Sequence, residues 1–532
     1  MHEAVYIRSA SGKFPCKVKT AESKIIFDTS EFGHEPFDIE IHLKSEITSF
    51  RNHDYTWADL TSAQVFCEFS PKVVRLKNGN YVQPNVLCGI WQVNPDHPKI
   101  LLWRFNVEDS HPLTVYLGKT NDKVIAQAAI RPLPVNPALL FSDEAVEFSR
   151  SKIPFSAVAC FTDHCDYDTG ESLALQRKLF HEHSIKVTKG FFLNDYSKRG
   201  NNASFEKNRE ELNLWRHEGH ELAYHSLSQS IKPDEQPISD FKNFIPPYPD
   251  LNVWIDHGYQ PYNLSLYRNS AIEDSEYGSR LEQLGIHIMW NYIDSGTASE
   301  GVINQMNTSD FTLRRYAAGI RNFRFSKRMA LLLKNIIFHY YASEKLITSY
   351  KKTVGGLKAI VFKKQLGKIP RFVADSVQLS WPVLKVMLFW KKHRDQPYRL
   401  AKYAPLLFRH RIGNRDLFIF QTIEMVDFKK GLSVANIEKL IHESGIFIAH
   451  TYFAVPMKYH SGRMFKTADQ LDPEVAANFT NLGDRIRRKE IWNPTLGELA
   501  TFLSKFDAVL LDVVNGKIVV VESGEIPFRT IK

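Results

Sequence analysis

Phe155-Ser-Ala-Val-Ala-Cys-Phe-Thr-Asp-His-Cys-Asp166, followed by Tyr167 and Asp168, decides how this chain is read. Phe155 to Thr162 is a short apolar run of the kind that forms a buried strand. It stops at Asp163 and His164, with Asp166 and Asp168 close behind. In α/β folds the carboxyl ends of strands carry the chemistry. Carboxylate and imidazole groups there suit a divalent metal or acid–base work. The competing reading of this segment alone is a solvated Asp-rich turn that caps the next helix.

The residues that follow keep alternating strand-like and helix-like segments. Glu171 to His183 reads as a helix, Val187 to Leu193 as a strand and Glu206 to His217 as a charged helix. Glu221-Leu-Ala-Tyr-His225 is a further strand, and Ile286-His-Ile-Met-Trp290 another. The pattern breaks near 305 and resumes near 434, with a helix Asn436 to Ser444, a strand Ile446 to His450 and a last helix Thr495 to Lys505. Such alternation implies a parallel α/β sheet or barrel. Two closing strands, Ala508 to Val514 and Lys517 to Val521, flank Asn515-Gly516, a strong hairpin signal.

Upstream the pattern differs. Runs such as Lys24-Ile-Ile-Phe27, Ala63 to Phe69 and Ile100-Leu-Leu-Trp-Arg-Phe105 have turn signals between them and no helical period. They predict a β-sandwich over 1–140, closed by the Pro-rich connector Arg131 to Pro137. The expected organisation is that sandwich, an α/β domain over 150–304 and 431–532, and a mainly helical insertion over 305–430.

A chain of 532 residues has room for roughly two to four domains. Its N-terminus has no basic segment followed by an apolar core, so no secretory signal is expected. No run reaches the about 20 apolar residues that span a bilayer. Five cysteines without a Cys-x-x-Cys pair fit a reducing compartment, which makes cytoplasmic location the expectation. Cys165, beside no cation in sequence, reads as a packed thiol.

Four strand ends carry reactive groups: Asp163, His164 and Asp166 on the first, and His225 on the second. The third is Trp254-Ile-Asp-His-Gly-Tyr-Gln-Pro-Tyr262, and the fourth is His450-Thr-Tyr452. Trp290-Asn-Tyr-Ile-Asp294 lies between the last two.

This order resembles the polysaccharide deacetylase family, carbohydrate esterase family four. Its members are distorted (β/α) barrels whose first strand ends in Thr-Phe-Asp-Asp-Gly and whose second ends in His-Ser/Thr-x-x-His. Gly219-His-Glu-Leu-Ala-Tyr-His-Ser226 is similar to the second motif, Pro261-Tyr262 to the third, Trp290 with Asp294 to the fourth, and Ile448-Ala-His450 to the fifth. The resemblance covers about 150–300 and 434–505.

It implies removal of an N-acyl group, most simply acetyl, from an amino sugar with the help of a divalent metal, expected to be Zn2+. Asp163 takes the role of base and His450 that of catalytic acid. His164 stands where the family has its metal-binding Asp, and His225 is a second ligand. A one-residue shift would instead make Asp163 the ligand and leave Thr162 at the base position. Gln229 occupies the place of the family's second His, so His257 is the candidate third ligand. Asp256 or Asp294 would orient a histidine, and Asp256, Tyr262, Trp290 and Gln229 would line the substrate groove. Other readings of the same residues are a catalytically inactive carbohydrate-binding barrel and another metal-dependent hydrolase, such as a phosphoesterase.

The net charge of +9 hides an asymmetry. Between Phe311 and Phe420 there are 24 Lys and Arg against four Asp and Glu, so the rest of the chain is net acidic. Met329 to Phe338 and Trp381 to Lys392 mix apolar and aromatic residues with Lys and Arg. That combination suits a helix lying on an anionic membrane surface, or a helical cap packed on the barrel. No nucleic-acid motif is present. The resemblance implies an amino-sugar glycan, or a nucleotide- or lipid-linked sugar, as substrate, and the basic segment suits an anionic inner membrane face reached through 311–420.

Overall fold

The computed structural model describes the chain except 22, 33–34, 118–121, 128–135, 198–199, 228–235, 256–271, 295–300, 426, 457–461 and 468; over 114–117, 122–127, 237 and 291–294 it describes the backbone alone. Among the described residues, seven parallel strands close into a barrel: β1 (Ala157–Asp163), β2 (Thr188–Phe191), β3 (Glu221–Tyr224), β4 (Val253–Ile255), β5 (Ile288–Asp294), β6 (Arg415–Met425) and β7 (Ile446–Thr451). β7 pairs with β1 from Val158↔Ile446 to Asp163↔Thr451. The expectation of a (β/α) barrel therefore holds.

The barrel is distorted at one seam. β1 pairs with β2 only at Thr162↔Thr188 and Asp163↔Lys189. Nearer its start, β1 pairs with Ile491–Trp492 instead. Asn493 fills the split: its amide donates to Ala159 O (2.7 Å) and accepts from the Lys186 N–H (2.6 Å).

The strands read as near-continuous apolar runs because both faces are covered. Val158 and Cys160 pack inside with Ala223, Ile255, Trp290, Phe420 and Ile448. Ala159 and Phe161 pack outside against Leu173, Phe180 and Phe479 of the surrounding helices. The helix Gly170–Glu182 starts at a capping box formed by Thr169 and Ser172. Residues 496–503 of the helix Leu496–Ser504 plug the barrel's lower end.

At that end Glu221 opens β3. It accepts from Thr188 Oγ1 (2.8 Å) and from the Gly497 N–H (3.1 Å). Burial pushes its carboxyl up to about 7 from 4.5. A pKa raised by folding contributes stability in full below the unfolded value, and that contribution is lost as pH rises through the folded one. Between pH 5 and pH 8, wild-type unfolding free energy should fall by up to about 3 kcal/mol on this account. Urea melts of Glu221→Gln should show that slope flattened; an unchanged slope would contradict the assignment.

Two antiparallel sheets precede the barrel and share one core, including Ile7, Phe27, Ile39, Val82, Trp91 and Trp103. This is the expected sandwich, but its limit moves. Ala138–Ser142 is a sandwich strand, paired with Tyr81–Pro84 and Lys24–Phe27, so the expected boundary at 140 falls inside it. Arg150 ties the two units together: its guanidinium donates to Phe69 O and Ser444 O (3.3 and 3.1 Å). The closing hairpin, Leu510–Val514 with Lys517–Glu522, turns at Asn515 and Gly516, both at positive φ, as the Asn-Gly signal requires. It lies against the sandwich through Lys24–Asp512 (2.8 Å) and is not a barrel element.

The insertion is helical but shorter than 305–430. Its helices run from Leu313 to His393. Leu407–Ile412 then pairs antiparallel with Arg415–Met425, which is barrel strand β6. Arg409, Arg411 and Arg415 gave this stretch the charge of the insertion and concealed the apolar strand core at 417–420.

Candidate metal centre

Four strands deliver side chains to one buried point at their carboxyl ends. His164 follows β1, His225 follows β3, Trp290 lies on β5 and His450 on β7. The His164 ring centroid is 4.4 Å from that of His225, 4.3 Å from His450 and 4.7 Å from Trp290. Tyr452 lies 4.9 Å from His164 and is half-buried, while Tyr167 packs beside it. The Trp290 indole donates to Thr422 Oγ1 on β6 (3.1 Å), which fixes its ring plane.

His164, Asp166 and His225 form a compact donor set, with one ligand atom from each lying within 4.8 Å of the others. His225 Nε2 is 3.0 Å from Asp166 Oδ2 and 3.2 Å from His164 Nδ1. His225 Nδ1 is 3.3 Å from Ile255 O. A proton on Nδ1, donated to that carbonyl, turns the Nε2 lone pair toward Asp166. Two acceptors at 3.0 Å then call for a shared proton or a cation between them. Metal-ligating histidines commonly donate their other ring N–H to a backbone carbonyl in this way. Ligands at about 2.0–2.2 Å from a tetrahedral Zn2+ are about 3.3–3.6 Å apart; the two separations that include His225, 3.0 and 3.2 Å, come within about 0.6 Å of that spacing.

Local backbone features hold this arrangement. A Cβ on Gly190 would come 2.7 Å from Asp163 O and 3.3 Å from His225 Cβ, so only glycine lets β2 lie this close. Ser226, buried directly after His225, takes φ 71°, a conformation uncommon for a residue with a side chain. Outliers of this kind concentrate at functional sites.

Asp163 has a different place from the one its sequence position implied. Strand alternation turns it outward, away from the Val158 and Cys160 side. Its carboxylate is bonded to the Lys189 ammonium and accepts from Thr451 Oγ1 (2.7 Å) and the Phe453 N–H (2.9 Å). Lys189 also binds Asp168 (2.6 Å) and Gln176 (3.0 Å), and all four side chains are buried. Burial pushes Asp163 up to about 6 against the pull of Lys189. Burial alone would lower Lys189, but the two carboxylates hold it protonated, above its ordinary range. The carboxylate that reaches the histidines is Asp166.

Lys189 and Asp166 carried signals in the sequence. A lone Lys inside the apolar run 187–192 is unusual unless paired. The spacing His164-x-Asp166 is also the shortest that lets two side chains share a face of an extended segment. Gln229, Asp256, His257 and Tyr262 lie outside the described residues. Asp294 ends β5 at the same end of the barrel, with only its backbone described. Cys165 is fully buried, its thiol against Ala203 O, and burial raises it well above the ordinary thiol range, so it is a packed thiol.

No protein-family model and no curated protein matches this chain. Among solved structures it is similar to a GH31 dextranase from Flavobacterium johnsoniae, in a mutant complexed with isomaltotriose (9% identity, TM-score 0.22) and in a complex with glucose (10% identity, TM-score 0.22). Each match covers 54% of this chain and 40% of the dextranase, so the chain matches less than half the length of those structures. Likeness of that size assigns no activity, and the barrel stands on its own strand pairing.

Proposed function

We propose that the chain is a metal-dependent hydrolase that removes an N-acyl group, most simply acetyl, from an amino sugar, on a barrel of the polysaccharide deacetylase type. The observation that carries this reading is the convergence of His164, Asp166 and His225 with His450 at one end of a parallel barrel. His164, Asp166 and His225 would hold the metal, for which Zn2+ suits a set of two imidazoles and a carboxylate. When bound there, such an ion acidifies water and polarises an acyl oxygen.

The chain's own groups supply the rest. His450 lies against His164, where it would take the proton that the attacking water loses as the C–O bond forms and pass it to the leaving amine as the C–N bond breaks. Tyr452 and Tyr167, half-buried at the edge of the centre, offer ring faces for a sugar. Trp290 and the barrel wall keep bulk water from the histidines, which strengthens every charge interaction there.

The test is acetate release from N-acetylated amino-sugar oligomers and from nucleotide-linked N-acetyl sugars. Turnover is expected, lost on chelation and restored by Zn2+. Phosphate release from phosphate esters without acetate release would assign the centre to a phosphoesterase. No hydrolysis after metal is restored would leave a binding barrel.

A further inference from the structure

The helices Glu344–Val361 and Ile369–Leu388 form a hairpin, joined by a turn over 362–368. They touch closely: a Cβ on Gly356 would meet Phe372 at 3.5 Å. The second helix is apolar on two sides. Leu379 and Val386 are buried. Ile369, Val373, Val377, Trp381, Leu384 and Leu388 recur at spacings of three and four, which places them along one stripe, and all are exposed. Val377 is 65% exposed, and Trp381 and Leu388 are 67% exposed. Phe362 at the turn is 81% exposed. Isolated apolar side chains at a surface need no explanation, but a continuous stripe marks an interaction surface.

The charge around the stripe selects its occupant. From Lys351 to Lys392 there are ten Lys and Arg against one acidic residue, Asp375. Lys363, Lys364 and Lys368 surround the turn, and Lys385, Lys391 and Lys392 follow the stripe; all six are exposed. A second copy of this chain would bring two cationic hairpins together. Nucleic acid would satisfy the charge and leave the stripe in water. An anionic lipid surface satisfies both. Its other side faces the protein: Tyr341 Oη donates to Pro382 O of the second helix (3.1 Å), and Leu379 and Val386 are buried on that side. Of the other aromatic residues in this segment, Trp390 is half-buried against the core and Phe338 is half-buried. Among the described residues no helix is long and apolar enough to cross a membrane.

We propose that this hairpin docks the protein on an anionic membrane by laying the 369–388 stripe among the acyl chains while its lysines meet the headgroups. Docking of this kind does not depend on what the barrel catalyses.

The experiment is co-sedimentation of the full chain with phosphatidylcholine vesicles, with and without phosphatidylglycerol. Binding is expected to the anionic vesicles and to fall by tenfold or more at high salt. Two variants separate the contributions: Val377→Asp with Trp381→Asp, and Lys363→Glu with Lys364→Glu and Lys368→Glu. All five positions are exposed, so circular dichroism and melting temperature should stay as in wild type. Each variant should lose about tenfold or more in affinity, since each basic group near the surface counts for about a factor of five. The proposal is overturned if neither vesicle type binds. It is also overturned if both variants bind like wild type, or if the Asp variant retains binding and leaves charge alone as the cause. Self-association without lipid that Val377→Asp with Trp381→Asp abolishes would overturn it in favour of a second copy of the chain.

Discussion

Replacing Lys189 with Met should cost this protein about 3–5 kcal/mol of stability, a large part of the margin of an ordinary domain. Lys189 sits fully buried between Asp163 and Asp168, bonded to both, with Gln176 as a third acceptor. Met fills a similar volume, so the loss would come from two carboxylates left facing each other without a cation. They cannot both stay ionised in that setting, and protonating either one also costs free energy at neutral pH. The measurement is urea unfolding of the full chain, read by circular dichroism. A triple variant, Asp163→Asn with Asp168→Asn and Lys189→Met, should recover much of the loss, because breaking a buried pair is worse than removing it. A single variant that unfolds at the wild-type midpoint would contradict the placement of the cluster.

Asp166→Ala and Asp163→Asn should then fail in different ways. Asp166 Oδ2 lies 3.0 Å from His225 Nε2, so its loss should empty the centre of metal and lower kcat/KM by about a thousandfold or more, with the fold intact. Asp163 touches Lys189, Thr451 and the Phe453 amide rather than the histidines. Asp163→Asn should therefore lower the unfolding midpoint while the folded fraction keeps its metal. Metal analysis and urea melts on both variants decide this. If Asp163→Asn abolishes turnover with an unchanged melt, the base role read from the sequence stands and the outward placement is wrong.

The legible part of the fold was the part in which local pattern and tertiary environment agree. The helices expected over 171–183 and 206–217 fall on Gly170–Glu182 and Phe205–His217, the apolar run 155–162 falls on the strand Ala157–Asp163, and the hairpin turn sits at Asn515-Gly516. β6 was hidden because Arg409, Arg411 and Arg415 point the composition of that stretch toward the insertion, although residues 417–420 carry a strand's apolar core. The sandwich limit was misplaced because a Pro-rich connector reads as a boundary, whereas the chain re-enters the sandwich directly after it with Ala138–Ser142.

At the site, His164, His225, Trp290 and His450 were legible because each ends or lies on a short apolar strand. Consecutive residues in a strand point to opposite faces, and that alternation separates Asp163 from His164. A motif read as a string does not register it. The partner that fixes Asp163 is Lys189, on a different strand, a pairing only the barrel's register Asp163↔Lys189 creates.

His164, Asp166 and His225 are proposed to hold one metal ion together. Elemental analysis of the purified full chain, reconstituted with Zn2+ and freed of excess, tests this most directly. About one zinc per wild-type chain is expected, and almost none in His164→Ala or His225→Ala, with both variants folded. A wild-type chain that retains no metal, or variants that keep the wild-type amount, would contradict it.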